Sequence, residues 1–291
     1  MELFLKISVV AICLLIIALA CSWLIRKKLL YDHRLLAFVA KHFYNYFHSV
    51  KEIKHLSVSN YGYAPVDKEI AAYHPDLQPG IQLYKELVKN HNGFLISENY
   101  SVVEVGCGKG AGAEFLIKKF KPGKFTGIDY SEKAISFCND NYRQIENADF
   151  ICADAHRLPV GEQSADVVIN VESSHIYKSM DKFLKEVYRV LKPDGKFLIA
   201  DYRYIRNIPI HLFEKKIADC GFSIADKRII TPQVKEACTR ASHRREKIIE
   251  EDCPWYLKKY FRNYAILNGT RRSKMLSNGE IVYFIYHLEK R

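Results

Sequence analysis

Val102-Val103-Glu104-Val105-Gly106-Cys107-Gly108-Lys109-Gly110-Ala111-Gly112 is the stretch on which the fold turns. The run from Val102 to Val105 reads as a buried strand, and it breaks into glycines before a helical segment that begins near Ala111. Gly106, Gly108 and Gly110 admit backbone angles closed to other residues and let a ligand approach the main chain, while the helix behind offers free N–H groups. Such a corner binds ligands.

Two ligand classes use a corner of this kind, phosphate-bearing nucleotides and S-adenosylmethionine. Gly106, Gly108 and Ala111 fit the dinucleotide pattern G-x-G-x-x-G/A, with Asp129 on the next strand as a ribose acid. Glu104, inside the strand and two positions before the first glycine, decides between them. A carboxylate there suits the cationic amino and sulfonium groups of S-adenosylmethionine and repels a pyrophosphate. The plain alternative is a glutamate that caps the glycine loop.

Outward from this corner the alternation is regular. Strand 101–106 leads to helix 111–120, strand 124–129 to helix 132–143, and strand 149–153 follows. Strand 166–171, helix 180–192, a Lys192-Pro193-Asp194-Gly195 turn and strand 196–201 come next. Strands separated by helices of this size predict right-handed crossovers and an α/β fold with a parallel sheet covered on both faces. The ligand belongs at the carboxyl ends of the strands. A short helix near 82–89 precedes the sheet. A helix at 210–220, a strand at 223–230, a helical aromatic-rich lid at 233–267 and a last strand, Ile281 to His287, complete the domain.

Ahead of this body, Ile7 to Ile25 carries no charge, and nineteen residues of helix span roughly 28 Å, the thickness of a bilayer core. The sequence therefore predicts a membrane-spanning anchor over 1–28, with a cleavable signal peptide as its rival. Arg26-Lys27-Lys28 place the following chain on the cytosolic side. Residues 29–79 read as an amphipathic helix, at the membrane surface or packed on the domain, followed by a linker, and the catalytic domain as 80–291.

The net charge is +11, unevenly distributed: residues 26–57 supply +5, residues 233–291 supply +6, and 58–232 is neutral. A neutral body with basic flanks points to anionic lipid or an acidic substrate, not to nucleic acid. The eight cysteines show no ligand-like spacing, so no metal site is expected, and they read as reduced core residues. Oligomeric state is not legible.

Each strand end offers a polar side chain. Asp129 can accept from both ribose hydroxyls, and Asp154 from an adenine amino group with the Ala155 N–H beside it. A helix N-cap is the commoner fate of an Asp at such a place, but the joint occurrence of both with Glu104 and the glycine loop argues against three coincidental caps. The segments Glu104–Gly110, Gly127-Ile128-Asp129, Ala153-Asp154-Ala155 and Leu191-Lys192-Pro193-Asp194-Gly195, over about residues 80–288, resemble the class I S-adenosylmethionine-dependent methyltransferases in order and spacing. The resemblance implies a Rossmann-like seven-stranded sheet whose last strand is antiparallel. It also implies a cofactor site comprising Glu104, Gly106, Cys107, Gly108, Gly110, Asp129, Tyr130, Asp154, Ala155 and Asn170.

A narrower likeness lies in Asn170-Val171-Glu172-Ser173-Ser174-His175-Ile176-Tyr177. It resembles the phthiotriolone dimycocerosate O-methyltransferases and the erythromycin-type macrolide-sugar O-methyltransferases, with support from Asn60–Tyr63, Ala200–Arg203 and Ser277–Glu280. It implies methylation of a hydroxyl on a hydrophobic lipid, polyketide or terpenoid-like substrate. Methyl transfer to carbon or nitrogen, or nicotinamide-dependent oxidoreduction, is the alternative. Removing a hydroxyl proton as the new bond forms requires a base near neutral pKa, and His175 supplies it, with Glu172 to orient or recharge it. Tyr177 and Asp201 are further candidates for substrate contact, and Tyr61 and Tyr63 for closing over the cofactor. Trp255, Tyr256, Tyr260, Phe261 and Tyr264 recur at helical spacing, as a core stripe or as the roof of an apolar slot that touches the membrane.

Overall fold

The computed structural model describes residues 60–291 apart from Asn92 and Pro254. The apolar span at 7–25 and the amphipathic helix expected within 29–57 lie outside the described residues. Among the described residues no helix is long and apolar enough to cross a membrane.

In chain order the elements are α1 (Gln78–Leu87), β1 (Ser101–Val105), α2 (Ala111–Phe120), β2 (Lys124–Asp129), α3 (Glu132–Tyr142), β3 (Ala148–Cys152), β4 (Ala165–Val171), α4 (Met180–Val190) and β5 (Leu191–Tyr204). Then follow α5 (Ile210–Asp219), β6 (Phe222–Ile229), α6 (Thr231–Asp252), α7 (Trp255–Tyr264), α8 (Arg271–Ser277) and β7 (Ile281–Lys290). One seven-stranded sheet runs β3-β2-β1-β4-β5-β7-β6, with β7 antiparallel to both its neighbours and the rest parallel. The strand order reverses between β1 and β4, and the carboxyl ends there form the crevice in which such sheets bind ligands.

Alternation along the strands splits the core in two, because successive side chains point to opposite faces. Val102, Phe125, Val167, Ile169 and Ile285 pack under α1, α2 and α3 with Leu83, Phe115 and Ile135. Val103, Ile128, Val168, Phe197 and Phe284 pack under α4 and α5 with Phe183, Val187 and Phe213. Each fully buried aliphatic side chain contributes about 1.5–3 kcal/mol, and the central strands are buried along nearly their whole length. The segment around residues 60–77, expected as linker, contributes Tyr61, Ala64 and Ile70 to the buried set.

Several elements depart from the sequence reading, among them α1, which starts at Gln78 and ends at Leu87. β5 starts at Leu191, which already pairs with Ala165, and the expected Lys192–Gly195 turn is taken up as a register irregularity before Lys196 meets Val167, with Asp194 at φ 62. β7 runs three residues further than expected because both its edges are paired to the end. α8 was not expected; Thr270 caps it by accepting from the Ser273 N–H.

Candidate active site

At the switch point the chain leaves β1 through Gly106, at φ 82, where any Cβ would collide with the Ser173 hydroxyl. Gly108, at φ 55, faces open space. The N–H groups of Gly106 and Cys107 donate to the Ile128 carbonyl at 2.7 and 3.1 Å, and Gly108 N–H donates to Asp129 Oδ2 at 2.9 Å. The loop thus spends on itself several of the N–H groups expected to face a ligand, and its contribution is the open face at Gly108. Cys107 is buried, its thiol against Cys138 and its N–H committed to Ile128.

Glu104 is fully buried. Tyr84 donates its hydroxyl to Oε1 at 2.6 Å, while Oε2 is buried with no hydrogen-bond partner. Burial pushes this carboxyl up to about 7, the Tyr84 bond works against it, and the nearby Asp129 charge adds to it. Asp129 accepts from Gly108 N–H and, through Oδ1, from Ser131 N–H at 2.8 Å, and the Tyr130 N–H adds a third backbone bond. Burial raises its pKa and the backbone bonds oppose that. Asp154, on the exposed side, accepts from the His156 N–H at 2.9 Å and pairs with His156 Nδ1 at 2.6 Å. Because His156 Nε2 accepts from Ser179 N–H at 3.1 Å, Nδ1 carries the proton. Ala155 is buried, Tyr130 is exposed, and Asn170 donates to the Val105 carbonyl at 2.8 Å with its own Oδ1 buried and unpartnered.

These residues fit S-adenosylmethionine. Two buried acceptor oxygens without partners, on Glu104 and Asn170, flank a glycine cradle open at Gly108, and one of them belongs to a carboxylate. Buried acceptors left unmade are costly unless a donor arrives, and a cationic amino group is such a donor.

Beyond β4 the chain turns through Glu172, at φ 44, into a short 3₁₀ turn, Ser174–Ile176. His175 Nδ1 lies 2.8 Å from Asp201 Oδ1, and its backbone N–H donates to Asp201 Oδ2 at 3.0 Å. Asp201, inside the last paired stretch of β5, is fully buried and also takes the Ser174 hydroxyl, the Tyr202 N–H at 2.8 Å and Arg203 at 3.2 Å. Burial alone would raise its pKa; the His175 and Arg203 charges and these hydrogen bonds hold it well below the usual carboxylate range. The Tyr202 ring lies against the imidazole at 4.3 Å.

Glu172 is placed elsewhere than the sequence predicted. It accepts from the Tyr61 N–H at 2.6 Å and from the Tyr283 hydroxyl, so the group that orients His175 is Asp201, until then only a candidate for substrate contact. The reason is the φ 44 backbone, which turns Glu172 and His175 toward different neighbours. Tyr177 joins Ser173 and Asn170 instead, at 2.8 and 3.1 Å.

The insertion between β6 and β7 closes over this side. Tyr61 donates to the Tyr264 carbonyl at 3.0 Å, Arg245 donates to the Tyr61 carbonyl at 3.2 Å, and Arg272 donates to the Tyr202 hydroxyl at 2.8 Å. Tyr61 therefore locks lid to body. Of the lid aromatics, Phe261 is buried, whereas Trp255 is 83% and Tyr260 53% exposed. The sequence reading gave no role to Tyr84, Arg272 and Tyr283, which no local motif marks, and included Tyr202 only as part of the Ala200–Arg203 segment; each acts on a residue far away in the chain.

The model of a methyltransferase domain family matches residues 103–199. A phthiotriol/phenolphthiotriol dimycocerosates methyltransferase of Mycobacterium tuberculosis is 34% identical over 189 residues, 65% of this chain and 69% of that one. A fatty-acid O-methyltransferase of Mycolicibacterium smegmatis is 36% identical over 168 residues, 58% of this chain and 60% of its own length. In fold, the chain is similar to a putative sarcosine dimethylglycine methyltransferase from Galdieria sulphuraria at a TM-score of 0.66 and 14% identity, covering 85% of this chain and 98% of that one.

Proposed function

This chain belongs to the class I S-adenosylmethionine-dependent methyltransferases, and from that premise we propose that it methylates a hydroxyl of a hydrophobic lipid, polyketide or terpenoid-like alcohol, with His175 as general base. The observation that carries the reading is the hydrogen bond of 2.8 Å between His175 Nδ1 and the buried carboxylate of Asp201. An ionised carboxylate only accepts, so Nδ1 bears the proton and Nε2 keeps its lone pair for the hydroxyl proton. As the proton moves to Nε2, the Asp201 charge stabilises the imidazolium that forms, and the buried Tyr202 ring keeps water from that face.

S-adenosylmethionine, when bound, supplies a methyl group already activated by its sulfonium, so the remaining tasks are alignment and proton removal. Glu104, Asp129, Asp154 and the face at Gly108 would hold it, and His175 follows β4 at the same strand ends. An oxygen acceptor is supported by the relative named as a fatty-acid O-methyltransferase, and by a base pair that an amine acceptor, nucleophilic on its own, would not require.

The anchor over 7–25 and Arg26-Lys27-Lys28 support a single-pass protein with its catalytic domain on the cytosolic side. The exposed Trp255 and Tyr260 beside Lys259 support a lid that meets the membrane from which the substrate enters.

The test is His175→Ala. Its affinity for S-adenosylhomocysteine is expected to match wild type, and turnover of membrane extracts with methyl-labelled cofactor to fall on the order of 10²-fold or more. Mass spectrometry of the labelled product identifies the acceptor. Unchanged turnover removes the base, and label on nitrogen or carbon removes the alcohol.

A further inference from the structure

One cavity plays no part in that chemistry. It has a volume of about 360 Å³ and lies between the end of β5, the lid helices α7 and α8, and the start of β7. Arg206, Arg271, Arg272, Asn207 and Asn263 line it, with Glu280 its one acid. Glu280 is 3.5 Å from Arg206. Arg271 and Arg272 form no ion pair among the described residues.

Arg272 is the unusual member. It is 9% exposed, and its Nε is buried with no hydrogen-bond partner. Its other nitrogens meet only neutral oxygens, the Tyr202 hydroxyl at 2.8 Å and the Tyr264 carbonyl at 3.4 Å. The rings of Tyr61, Tyr202, Tyr204 and Tyr264 surround the guanidinium at 5.4–5.9 Å. Aromatic faces soften the burial of a cation, but they do not replace a counter-charge. Asn263 Oδ1 is occupied by the Arg272 N–H at 3.0 Å, which leaves its NH₂ as a donor. The wall is therefore rich in donors and carries two positive charges in excess.

A carboxylate would be satisfied by one guanidinium fork, whereas donors from three arginines and two amides match an anion with three or four oxygens. A phosphate monoester has that many, and a charge near −2 that balances the excess. We propose that this cavity is a phosphate-binding site, taken either by a phosphate group of the methyl acceptor or by the headgroup of a membrane lipid. Assigning the phosphate to the acceptor rests on the alcohol-methylation reading; the binding itself does not. Its position gives it a line to the reaction, because Arg272 holds the hydroxyl of the same Tyr202 whose ring lies 4.3 Å from the His175 ring. An anion that fixes Arg272 fixes the wall against which the base rests.

The experiment uses the full chain in detergent, wild type and an Arg206→Gln/Arg271→Gln double variant, whose changes lie outside the cofactor and base residues. Melting is followed with inorganic phosphate at constant ionic strength, and separately with S-adenosylhomocysteine. Millimolar phosphate is expected to raise the wild-type Tm by a few degrees and the variant's not at all, with the same S-adenosylhomocysteine shift in both. A wild type indifferent to phosphate, or a variant that shifts equally, overturns the site. A wild type indifferent to S-adenosylhomocysteine instead strikes the cofactor reading and leaves this one standing. Binding of a short alkyl phosphate that depends on the two arginines assigns the site to the acceptor. The same dependence with phosphatidic acid in phosphatidylcholine vesicles assigns it to a lipid headgroup, and dependence in neither arm overturns the proposal.

Discussion

On the β1 and β2 side of the switch point the pocket is held mainly by main chain: Gly106 and Cys107 donate to Ile128, and Gly108 to the carboxylate that closes β2. On the β4, β5 and β7 side the wall is held mainly by side chains: Asp201 on His175, Arg272 on Tyr202, and the Tyr283 hydroxyl on Glu172. A main-chain frame needs only glycines and a strand-to-helix corner, so it can stay fixed while its neighbours change. A side-chain frame depends on every member, because a lost partner leaves a buried group unsatisfied. The first side suits a constant cofactor. The second suits an acceptor that differs from one relative to the next.

The strongest way to break this contrast is Asp201→Asn. If the acceptor side works as a unit, turnover falls on the order of 10²-fold or more while S-adenosylhomocysteine affinity stays within a few-fold, because the carboxylate that fixes the Nδ1 proton and balances the imidazolium is gone. Single-turnover rates beside calorimetric affinity read the two separately. Equal losses in both would mean that the two sides are one structure.

Glu104→Gln probes the other side and is smaller. Tyr84 can still donate to the amide oxygen, so the corner persists, but the negative charge is lost and cofactor affinity is expected to fall roughly tenfold, about 1.4 kcal/mol. The sign with pH follows from a carboxyl pushed up to about 7. Below that it is protonated and must lose its proton to meet a cation, so wild-type affinity rises with pH toward neutrality, and the Gln variant removes that slope. A steep slope in the variant would move the titration to another group.

The same contrast explains what the sequence disclosed. Glu104, the glycines, Asp129 and Asp154 sit at fixed offsets from strand ends, so a local reading places them together. The Asp201 partner of His175 is 26 residues away, and Arg272 reaches Tyr202 across 70. Only the paired register of β4, β5 and β7 brings such residues into one wall, and no local periodicity encodes it. Glu172 misled for a related reason: its nearness to His175 in sequence suggested contact, but a left-handed backbone at that residue separates their side chains.

The smallest expected effect sharpens the account of Glu172 itself. Burial pushes its carboxyl up to about 8, the bonds from Tyr283 and Tyr61 work against this, and the Asp201 charge adds to it. A folded pKa above the ordinary 4.5 means that the native protein keeps a proton the unfolded chain has released, so this contribution is whole below about pH 4.5 and is lost as pH rises through about 8. Wild-type Tm without cofactor is therefore expected to decline toward pH 9, with Glu104 adding in the same direction. Glu172→Gln keeps an acceptor for Tyr283 and Tyr61 but carries no charge, so it should match wild type at pH 5 and melt a few degrees higher at pH 9. If its melting curve instead follows wild type across the whole range, the Glu172 carboxyl is at home in water, and the wall beneath the lid is wetter than its packing of tyrosines implies.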